Sequence, residues 1–377
     1  MVGYCMKKLL FVANVDWFFI SHRLCIAEAA AKEGWEVYVA CTDTGRSGEI
    51  TEKGIHFINL PLSRSGTNLR EEWNSLRLIF QLYRKIKPDV VHHITLKPVI
   101  YGSVVAKLAG IKGVVNAISG LGYNFTGRKS LISKIMTAMM KYAFNRKQLT
   151  IIFQNNDDEQ ELRNLGVINE KNKIVKIKGA GVDLDKFCHS PFPEFDLIKI
   201  LFPTRMLWDK GVRELRNATE ILKKKYKGKI KFILVGLADK DNKAGVPAEY
   251  LSEWSDGEYV EWVGYQKDMV GFYQNSHIVV LPSYREGMPK SLLEACAVGR
   301  AIVTTDAVGC RECVEEGVNG YKVPVHSSEK LAEAIEILAN DKDLIVKMGR
   351  NSRKKAENEF NVKNVIAKHL EIYSDLL

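Results

Sequence analysis

Two hydrophobic periods alternate along nearly the whole chain. Short apolar runs rich in Val, Ile, Leu and Phe, bounded by Gly, Pro, Asn or Asp, are separated by stretches whose apolar residues recur at three- and four-residue spacing. In the first half the pattern predicts strand 8–14, helix 20–33, strands 35–41 and 55–60, helix 69–86, strand 89–94, helix 98–109, strand 113–117, helix 129–146, strand 149–154, helix 157–165 and strand 173–177. Gly179 to Asp196, with Pro191 and Pro193, reads as a linker. A second series then begins: strand 198–203, helix 211–226, strand 230–235, helix 247–255, strand 258–262, helix 267–275, strand 277–281, helix 290–298, strand 301–304, helix 311–316 and strand 321–323, with closing helices at 327–340, 342–360 and 363–376.

Strands that are apolar throughout, alternating with amphipathic helices, belong in parallel sheets covered on both faces. The fold class is therefore α/β, with two Rossmann-like doubly wound domains in tandem. Such sheets bind ligands beyond the carboxyl ends of their strands, so two of them facing a central cleft would share one site there. Five loops sit at strand ends: Asn14 to His22, His92-His93, Ser119 to Asn124, Arg205 to Lys210, and the loop that carries Glu286.

Composition narrows this picture. A chain of 377 residues holds two domains with separate cores, and 46% hydrophobic with 27% charged residues describes a soluble globular enzyme. There is no 18-residue apolar run. Lys7-Lys8-Leu9-Leu10-Phe11-Val12 opens like a signal peptide, but Asn14 and Asp16 interrupt it and no small-residue cleavage site follows, so a first buried strand and a cytoplasmic chain are expected. The seven cysteines are odd in number and scattered, which argues against a disulfide framework. Cys310-Arg-Glu-Cys313 lacks the second pair that a metal site needs and reads as small residues at a loop-to-helix junction.

Charge is unevenly placed. Of the net +10, residues 1–190 carry all of it, with 27 Lys and Arg against 17 Asp and Glu, while residues 191–377 hold 28 of each. A basic half points to a polyanion: an anionic membrane surface, a diphosphate-bearing substrate or nucleic acid. No aromatic-interleaved basic platform or recognised reader motif supports nucleic acid. The segment 128–147 has six cations and no carboxylate, with Leu131, Ile132, Ile135, Met136, Met139, Met140 and Phe144 at helical spacing. Such a helix can lie in a membrane interface; an ordinary packed helix with a basic outer face has the same pattern.

The candidate chemistry centres on Leu-Pro-Ser-Tyr-Arg-Glu-Gly-Met-Pro-Lys-Ser-Leu-Leu-Glu-Ala (281–295). It reads as a buried strand, a loop tightened by Gly287 and Pro289, and a helix entered near Ser291. The helix start offers backbone N–H groups and a positive dipole end, while Glu286 and Glu294 can grip hydroxyls on either side of a bound phosphate. A sugar nucleotide has that layout. Glu286 as a loop cap and Glu294 as a solvated helix residue would have the same spacing. Arg205 and Lys210 follow the strand at 198–203; an Arg fork and a Lys point charge at one strand end can reach one diphosphate, although two solvated loop cations also fit.

Taken in order, Arg205-x4-Lys210-Gly211, Val235-Gly236, Val263-Gly264, Glu286-Gly-Met-Pro with Glu294-Ala295, Ala307-Val-Gly-Cys-Arg-Glu312 and Asn319-Gly320 resemble the retaining glycosyltransferases of the GT-B fold, family four. Ser119-Gly-Leu-Gly122 and His22-Arg23 give the first half a closer likeness to bacterial enzymes that add an N-acetylhexosamine to a polyprenyl-diphosphate-linked sugar. The resemblance implies that Arg205 and Lys210 bind the nucleotide diphosphate of a UDP-sugar and neutralise charge as it leaves. Glu286 would lie by the transferred sugar, near the backbone of Gly287, Met288 and Lys290 and next to Pro289, which has no N–H to give. Glu294 would hold the ribose hydroxyls, the Val263-Gly264 segment would border the base, and Gly236 would also belong to the donor site. It further implies retention of anomeric configuration, no metal and no other cofactor, and a lipid-linked sugar acceptor at the inner face of the cytoplasmic membrane. Asp183-Leu-Asp185 falls in the family's interdomain linker and Asp239-Lys-Asp241 in a polar loop, so neither Asp-x-Asp reads as a metal site.

The implied domains are 1–185 for the acceptor, 197–360 for the nucleotide sugar, and a helix at 361–377 packing back on the first. Many family members have a Gly-Gly loop after the first strand and a histidine after the fourth; here those places read Asn14-Val-Asp16-Trp17 and Ser119-Gly120. Asn14, His22, Ser119 and Gly120 are the acceptor-side candidates, with His22 favoured over His92 and His93. A sugar-nucleotide epimerase or hydrolase on the same fold, or a non-catalytic membrane-binding protein, are the other functions this reading allows.

Overall fold

The computed structural model describes residues 6–62, 69–121, 131–239 and 242–377. Two compact units emerge, Met1–Ala180 with Lys363–Leu377, and Gly181–Val362. Each is built on one parallel sheet.

The first unit has strands β1 (Lys8–Val15), β2 (Glu36–Thr42), β3 (His56–Asn59), β4 (Val90–Ile94), β5 (Gly113–Ile118), β6 (Leu149–Phe153) and β7 (Lys173–Lys176), in the order β3-β2-β1-β4-β5-β6-β7. Its described helices are α1 (Asp16–His22), α2 (Leu24–Lys32), α3 (Gly48–Thr51), α4 (Leu69–Ile86), α5 (Leu96–Leu108), α6 (Leu131–Phe144) and α7 (Asn156–Asn164). The two-residue period of β1 explains the layering. Leu10 and Val12 enter one core with Ile79, Leu82 and Tyr83 of α4, Val99 and Val105 of α5, and Met140 and Phe144 of α6. Leu9, Phe11 and Ala13 enter the other with Phe19 of α1 and Ile26 of α2, joined by Val365, Ile372 and Tyr373 near the chain's end.

The second unit has β8 (Ile198–Pro203), α8 (Val212–Tyr226), β9 (Ile230–Val235), α9 (Ala248–Trp254), β10 (Val260–Trp262), α10 (Val270–Gln274), β11 (Ile278–Leu281), α11 (Lys290–Val298), β12 (Ala301–Thr305), β13 (Gly320–Val323), α12 (Ser328–Ala339) and α13 (Lys342–Lys355). Its sheet order is β10-β9-β8-β11-β12-β13. A final helix, α14 (Val362–Asp375), follows a short π-helical segment. In both sheets the strand order reverses direction beside the first strand, at β1/β4 and at β8/β11, which is where doubly wound folds open a crevice.

Two expected elements differ. The helix expected over 20–33 starts at Asp16 and breaks at Arg23, whose φ of −136° interrupts it. Asp16 draws the start forward: its buried carboxylate accepts the amides of Trp17 at 2.6 Å, Thr44 at 2.7 Å and Arg46 at 3.1 Å, and the Thr44 hydroxyl. Burial pushes the Asp16 carboxyl up, and these bonds outweigh it to leave the group below its ordinary value. The helix expected at 311–316 is a single 3₁₀ turn, Arg311–Cys313, after which Val314 is extended. One turn already buries Cys310, Cys313 and Val314, which produced the helix-like spacing.

His92 and His93 on β4 are buried and serve the interior. The His93 ring joins the Tyr83 hydroxyl at 2.6 Å and the Asn116 carboxamide oxygen at 2.7 Å, while His92 meets the Tyr373 hydroxyl at 2.7 Å. Burial pulls His93 down to about 4 and His369, which stacks on His92, down to about 3. Both rings are thus neutral when folded, whereas an unfolded histidine takes a proton near pH 6.5. The unfolded chain binds more protons between the two values, so stability falls as the pH drops from about 6.5 toward 4. Hydrogen-exchange protection of the β4 and β5 amides should therefore decline from pH 7 to pH 5 after correction for intrinsic exchange, and His93→Gln should flatten that decline; an equal decline in both proteins would contradict the assignment.

Candidate functional site

In the second unit, the loops leaving β8 and β11 are tied to each other at the switch point. The Asp209 carbonyl oxygen accepts both the Tyr284 amide at 2.9 Å and the Ser283 hydroxyl at 3.1 Å. From the other side, the Glu286 amide donates to the Val308 carbonyl at 2.9 Å and the Thr305 hydroxyl donates to the Ser283 carbonyl. Gly309 makes this approach possible: at φ 79° an added Cβ would lie 2.4 Å from the Glu286 carbonyl oxygen. Gly236, after β9, is equally confined, since its Cβ would fall 1.8 Å from the Thr204 carbonyl oxygen.

This framework presents Glu286 to Lys210. The Lys210 ammonium donates to Glu286 Oε1 at 2.6 Å, and the two side chains are only 12% and 17% exposed. Burial pushes Lys210 toward its neutral form, but the Glu286 and Asp209 carboxylates outweigh it, leaving the ammonium above its ordinary value despite the nearby Arg205. Lys210 is therefore a cation at neutral pH. Arg205 extends from the same loop, with Nη1 3.7 Å from Asp239 Oδ2. One half of the second Asp-x-Asp is thus the guanidinium's partner; Asp241 lies outside the described residues. In the first Asp-x-Asp, Asp183 closes a turn by accepting the Asp185 and Lys186 amides at 2.9 and 3.0 Å.

The loop then enters α11, whose bounds match the expected helix 290–298, with Pro289 in the cap position and no side-chain cap. Glu294 sits one turn in and is 9% exposed, so it is not a solvated helix residue. Its Oε2 accepts the Tyr273 hydroxyl at 3.0 Å and its Oε1 lies 3.6 Å from the Lys290 ammonium. Burial raises the Glu294 carboxyl, opposed by Lys290, Tyr273 and Lys186. The Met288 side chain turns inward, its sulfur 3.4 Å from the Cys313 thiol, and Gly287 is the residue between it and Glu286. The Gly264 carbonyl accepts the Gly236 amide at 2.8 Å, joining the ends of β9 and β10.

Sequence reasoning missed the residues that support this site. Tyr284 anchors the loop by donating to the buried Glu214 at 2.7 Å and packing on His326, ring centroids 4.0 Å apart. Tyr273 holds both the Ser291 carbonyl and Glu294 through one hydroxyl. Tyr284 stands inside the quoted motif, but its partner is 70 positions away. Two cations, a helix start and two poorly solvated carboxylates suit a ligand that is anionic in the middle and hydroxylated on both sides. Among the described residues, no three His, Cys, Asp or Glu side chains gather as a metal-binding group.

The acceptor-side candidates all belong to the first unit. Asn14 is the penultimate residue of β1 and Ser119 follows β5; Asn14 Oδ1 and Ser119 Oγ are buried without a hydrogen-bond partner. Gly120 follows with φ 105°. His22 closes α1, its Nδ1 between the Ser21 hydroxyl and the Phe18 carbonyl, its ring stacked on Phe18 at 4.2 Å. Gly122 to Asn124 lie outside the described residues.

Known proteins place the chain. The family described as "Glycosyl transferase 4-like" matches residues 8–155 and "Glycosyl transferases group 1" matches residues 198–341, one for each sheet. A Campylobacter jejuni N,N'-diacetylbacillosaminyl-diphospho-undecaprenol alpha-1,3-N-acetylgalactosaminyltransferase is 28% identical, with 98% of this chain and 99% of that protein covered. An Escherichia coli UDP-Gal:alpha-D-GlcNAc-diphosphoundecaprenol alpha-1,3-galactosyltransferase is 25% identical, covering 93% and 92%. Among solved structures, a sucrose-phosphate synthase from Thermosynechococcus elongatus superposes with a TM-score of 0.80 at 18% identity, covering 98% and 99%. Anabaena HepE in complex with UDP gives 0.77 at 17% identity, covering 98% and 100%. These likenesses show the fold. The chain is a glycosyltransferase of the GT-B fold and belongs to family four, the group 1 and 4-like glycosyltransferases.

Proposed function

We propose that this enzyme transfers a sugar, an N-acetylhexosamine, from a UDP-sugar to a polyprenyl-diphosphate-linked saccharide with retention of configuration, in bacterial surface-glycan or glycoprotein-glycan assembly. The observation that carries the reading is the Lys210–Glu286 pair, largely buried at the switch point and followed within four residues by an uncapped helix start. The substrate class is supported by the Campylobacter and Escherichia relatives, whose names specify lipid-diphosphate acceptors. The UDP complex of Anabaena HepE is consistent with a uridine donor.

In the reaction, the acceptor hydroxyl oxygen forms a bond to the sugar's anomeric carbon on the face from which the diphosphate departs. Its proton passes to the departing diphosphate oxygen. Lys210 and Arg205 stabilise the negative charge that develops there, and the α11 dipole adds to them. Glu286 keeps Lys210 charged and aimed, and borders the transferred sugar. Glu294, with one oxygen fixed by Tyr273, receives the ribose hydroxyls.

The reading also includes an anionic bilayer as partner, at the inner face of the cytoplasmic membrane. No described helix is long and apolar enough to cross a membrane, so docking would be peripheral. Contrary to the even stripe expected of α6, Met140 and Phe144 are in the core while Ile135 and Tyr142 are exposed, and Arg146 is spent on the Ile111 and Lys112 carbonyls. Arg128 and Lys129 lie outside the described residues. Helix α4, which shares the same core, adds a stripe of its own: Trp73, 72% exposed, with Arg77, Phe80 and Arg84 at helical spacing, all exposed. Aromatic and cationic side chains together suit a headgroup layer.

Glu286→Gln and Lys210→Met should each lower kcat/KM for transfer from UDP-N-acetylgalactosamine to an undecaprenyl-diphosphate N-acetylhexosamine by about 10²–10³-fold, measured in detergent with folding checked by circular dichroism. Undiminished turnover in both would sink the reading, and UDP release from wild type with no acceptor dependence would favour the hydrolase alternative. For the membrane, Trp73→Ser with Phe80→Ser should reduce co-sedimentation with phosphatidylglycerol vesicles several-fold without changing transfer to a water-soluble acceptor. Equal sedimentation of both proteins, or equal binding to neutral phosphatidylcholine vesicles, would remove the membrane from it.

A further inference from the structure

We infer that Thr95, with Asn14 and Ser119, forms a subsite for the hydroxyls of a neutral sugar at the switch point of the first sheet. The inference rests on the proposed function in one respect, that the first unit receives the acceptor.

Thr95 follows β4 directly and opens α5. Its backbone, φ 72° and ψ 157°, lies in a region essentially reserved for glycine, and a β-branched residue is among the least suited to it. Threonine at a helix N-cap ordinarily turns its hydroxyl onto the helix. Thr95 makes no such bond, and its Oγ1 is buried without a partner. The strained backbone is therefore not explained by capping.

The two flanking strands end in the same way. In the β1–β4 ladder Val12 stands opposite His93, and in the β4–β5 ladder Ile94 stands opposite Ala117. β1 is irregular between Val12 and Val15, so Asn14 falls within about one residue step of Thr95, and Ser119 lies one step beyond Thr95 on the far side. Neighbouring strands run about 4.8 Å apart, so the three ends fall within roughly 10 Å. Each contributes one unpartnered oxygen: Asn14 Oδ1, Thr95 Oγ1 and Ser119 Oγ. Such groups are ordinarily satisfied by protein, water or ligand.

The chemistry is neutral. Two hydroxyls can donate or accept, and a carboxamide oxygen accepts. Nearby charges are already engaged: Asp16 with Thr44 and Arg46, and Lys97 with Glu72 at 2.8 Å. A phosphate would meet the Asn14 lone pairs, whereas adjacent hydroxyls of a pyranose match all three oxygens. The other unpartnered atoms of this unit that involve Arg23, His92 and His369 are nitrogens, grouped around Tyr373 of α14.

Equilibrium titration with a short-chain alkyl-diphosphate N-acetylglucosamine tests this, with UDP titrated in parallel. Thr95→Val keeps the shape and the branched Cβ but removes the hydroxyl; it should weaken the sugar diphosphate at least tenfold and leave UDP unchanged. Thr95→Ser should stay within threefold of wild type. Ser119→Ala removes a buried hydroxyl that has no partner, so a purely structural role predicts equal or higher thermal stability with unchanged binding; the subsite predicts equal or higher stability with weakened binding. Unchanged sugar affinity in folded Thr95→Val and Ser119→Ala, or a loss that appears in UDP binding instead, overturns the inference. If the sugar diphosphate binds none of the proteins while Glu286→Gln still abolishes transfer, the subsite fails and the proposed function stands. If Thr95→Val weakens the sugar while Glu286→Gln and Lys210→Met transfer normally, the subsite stands and the donor assignment fails.

Discussion

Strand order governs the rest of this structure. Right-handed crossovers wind each sheet outward in both directions from one central pair, β1 and β4 or β8 and β11. The loops leaving such a pair run to opposite faces and leave a crevice that no helix fills. In the second unit the crevice is held to a defined width by backbone bonds, with one carbonyl, that of Asp209, accepting from both Ser283 and Tyr284. Only because that frame is fixed can Lys210 and Glu286 meet at 2.6 Å with little exposure. A pair this poorly hydrated gives little net stability, since desolvation offsets much of its attraction, but losing one partner strands the other. In the proposed reaction the pair would instead serve to fix a cation in direction before substrate arrives.

The same topology carries different chemistry in the two units. The crevice of the second has Arg205, Lys210 and two carboxylates; the strand ends of the first have the uncharged oxygens of Asn14, Thr95 and Ser119, while Asp16 is consumed by the loop after β2. The proposed transfer would use this division. Its leaving group is a diphosphate, which calls for cations, whereas its entering group is a sugar hydroxyl, which neutral donors and acceptors can orient.

Much of this was legible in the sequence, for identifiable reasons. Buried parallel strands are apolar throughout, so β8 and β9 could be bounded to the residue, as could the helices α4 and α11. The short helix α1 was not, because its start depends on Asp16 accepting amides from residues about thirty positions away. The 3₁₀ turn at Arg311–Cys313 carried the apolar spacing of a helix without the length. At the site, residue types and spacing marked Arg205, Lys210, Glu286 and Glu294, but not that Glu294 is buried under a tyrosine hydroxyl. Thr95 left no trace at all, since a positive φ on a threonine follows from how a strand meets a helix and not from any local pattern.

The charge asymmetry can now be narrowed. A net excess confined to residues 1–190 has three candidate causes, one of them a diphosphate-bearing substrate. The cations proposed for the diphosphate, Arg205 and Lys210, are in the half of the chain that has no excess, and the unpartnered strand-end oxygens of the basic half are uncharged. A local diphosphate site therefore does not account for the excess. Part of it is absorbed internally, as with Arg146 on two carbonyls and Lys107 on those of Tyr142 and Asn145. What remains lies on exposed helix faces, including Arg77 and Arg84 of α4 and Lys134 and Lys141 of α6, interleaved with exposed aromatic and apolar side chains. Charges spread in that way act within a Debye length of about 10 Å and reward an extended anionic surface more than a single ligand. Under the proposed function, the basic half would meet the bilayer that carries the lipid-linked acceptor, while the cations proposed for the leaving diphosphate belong to the other half.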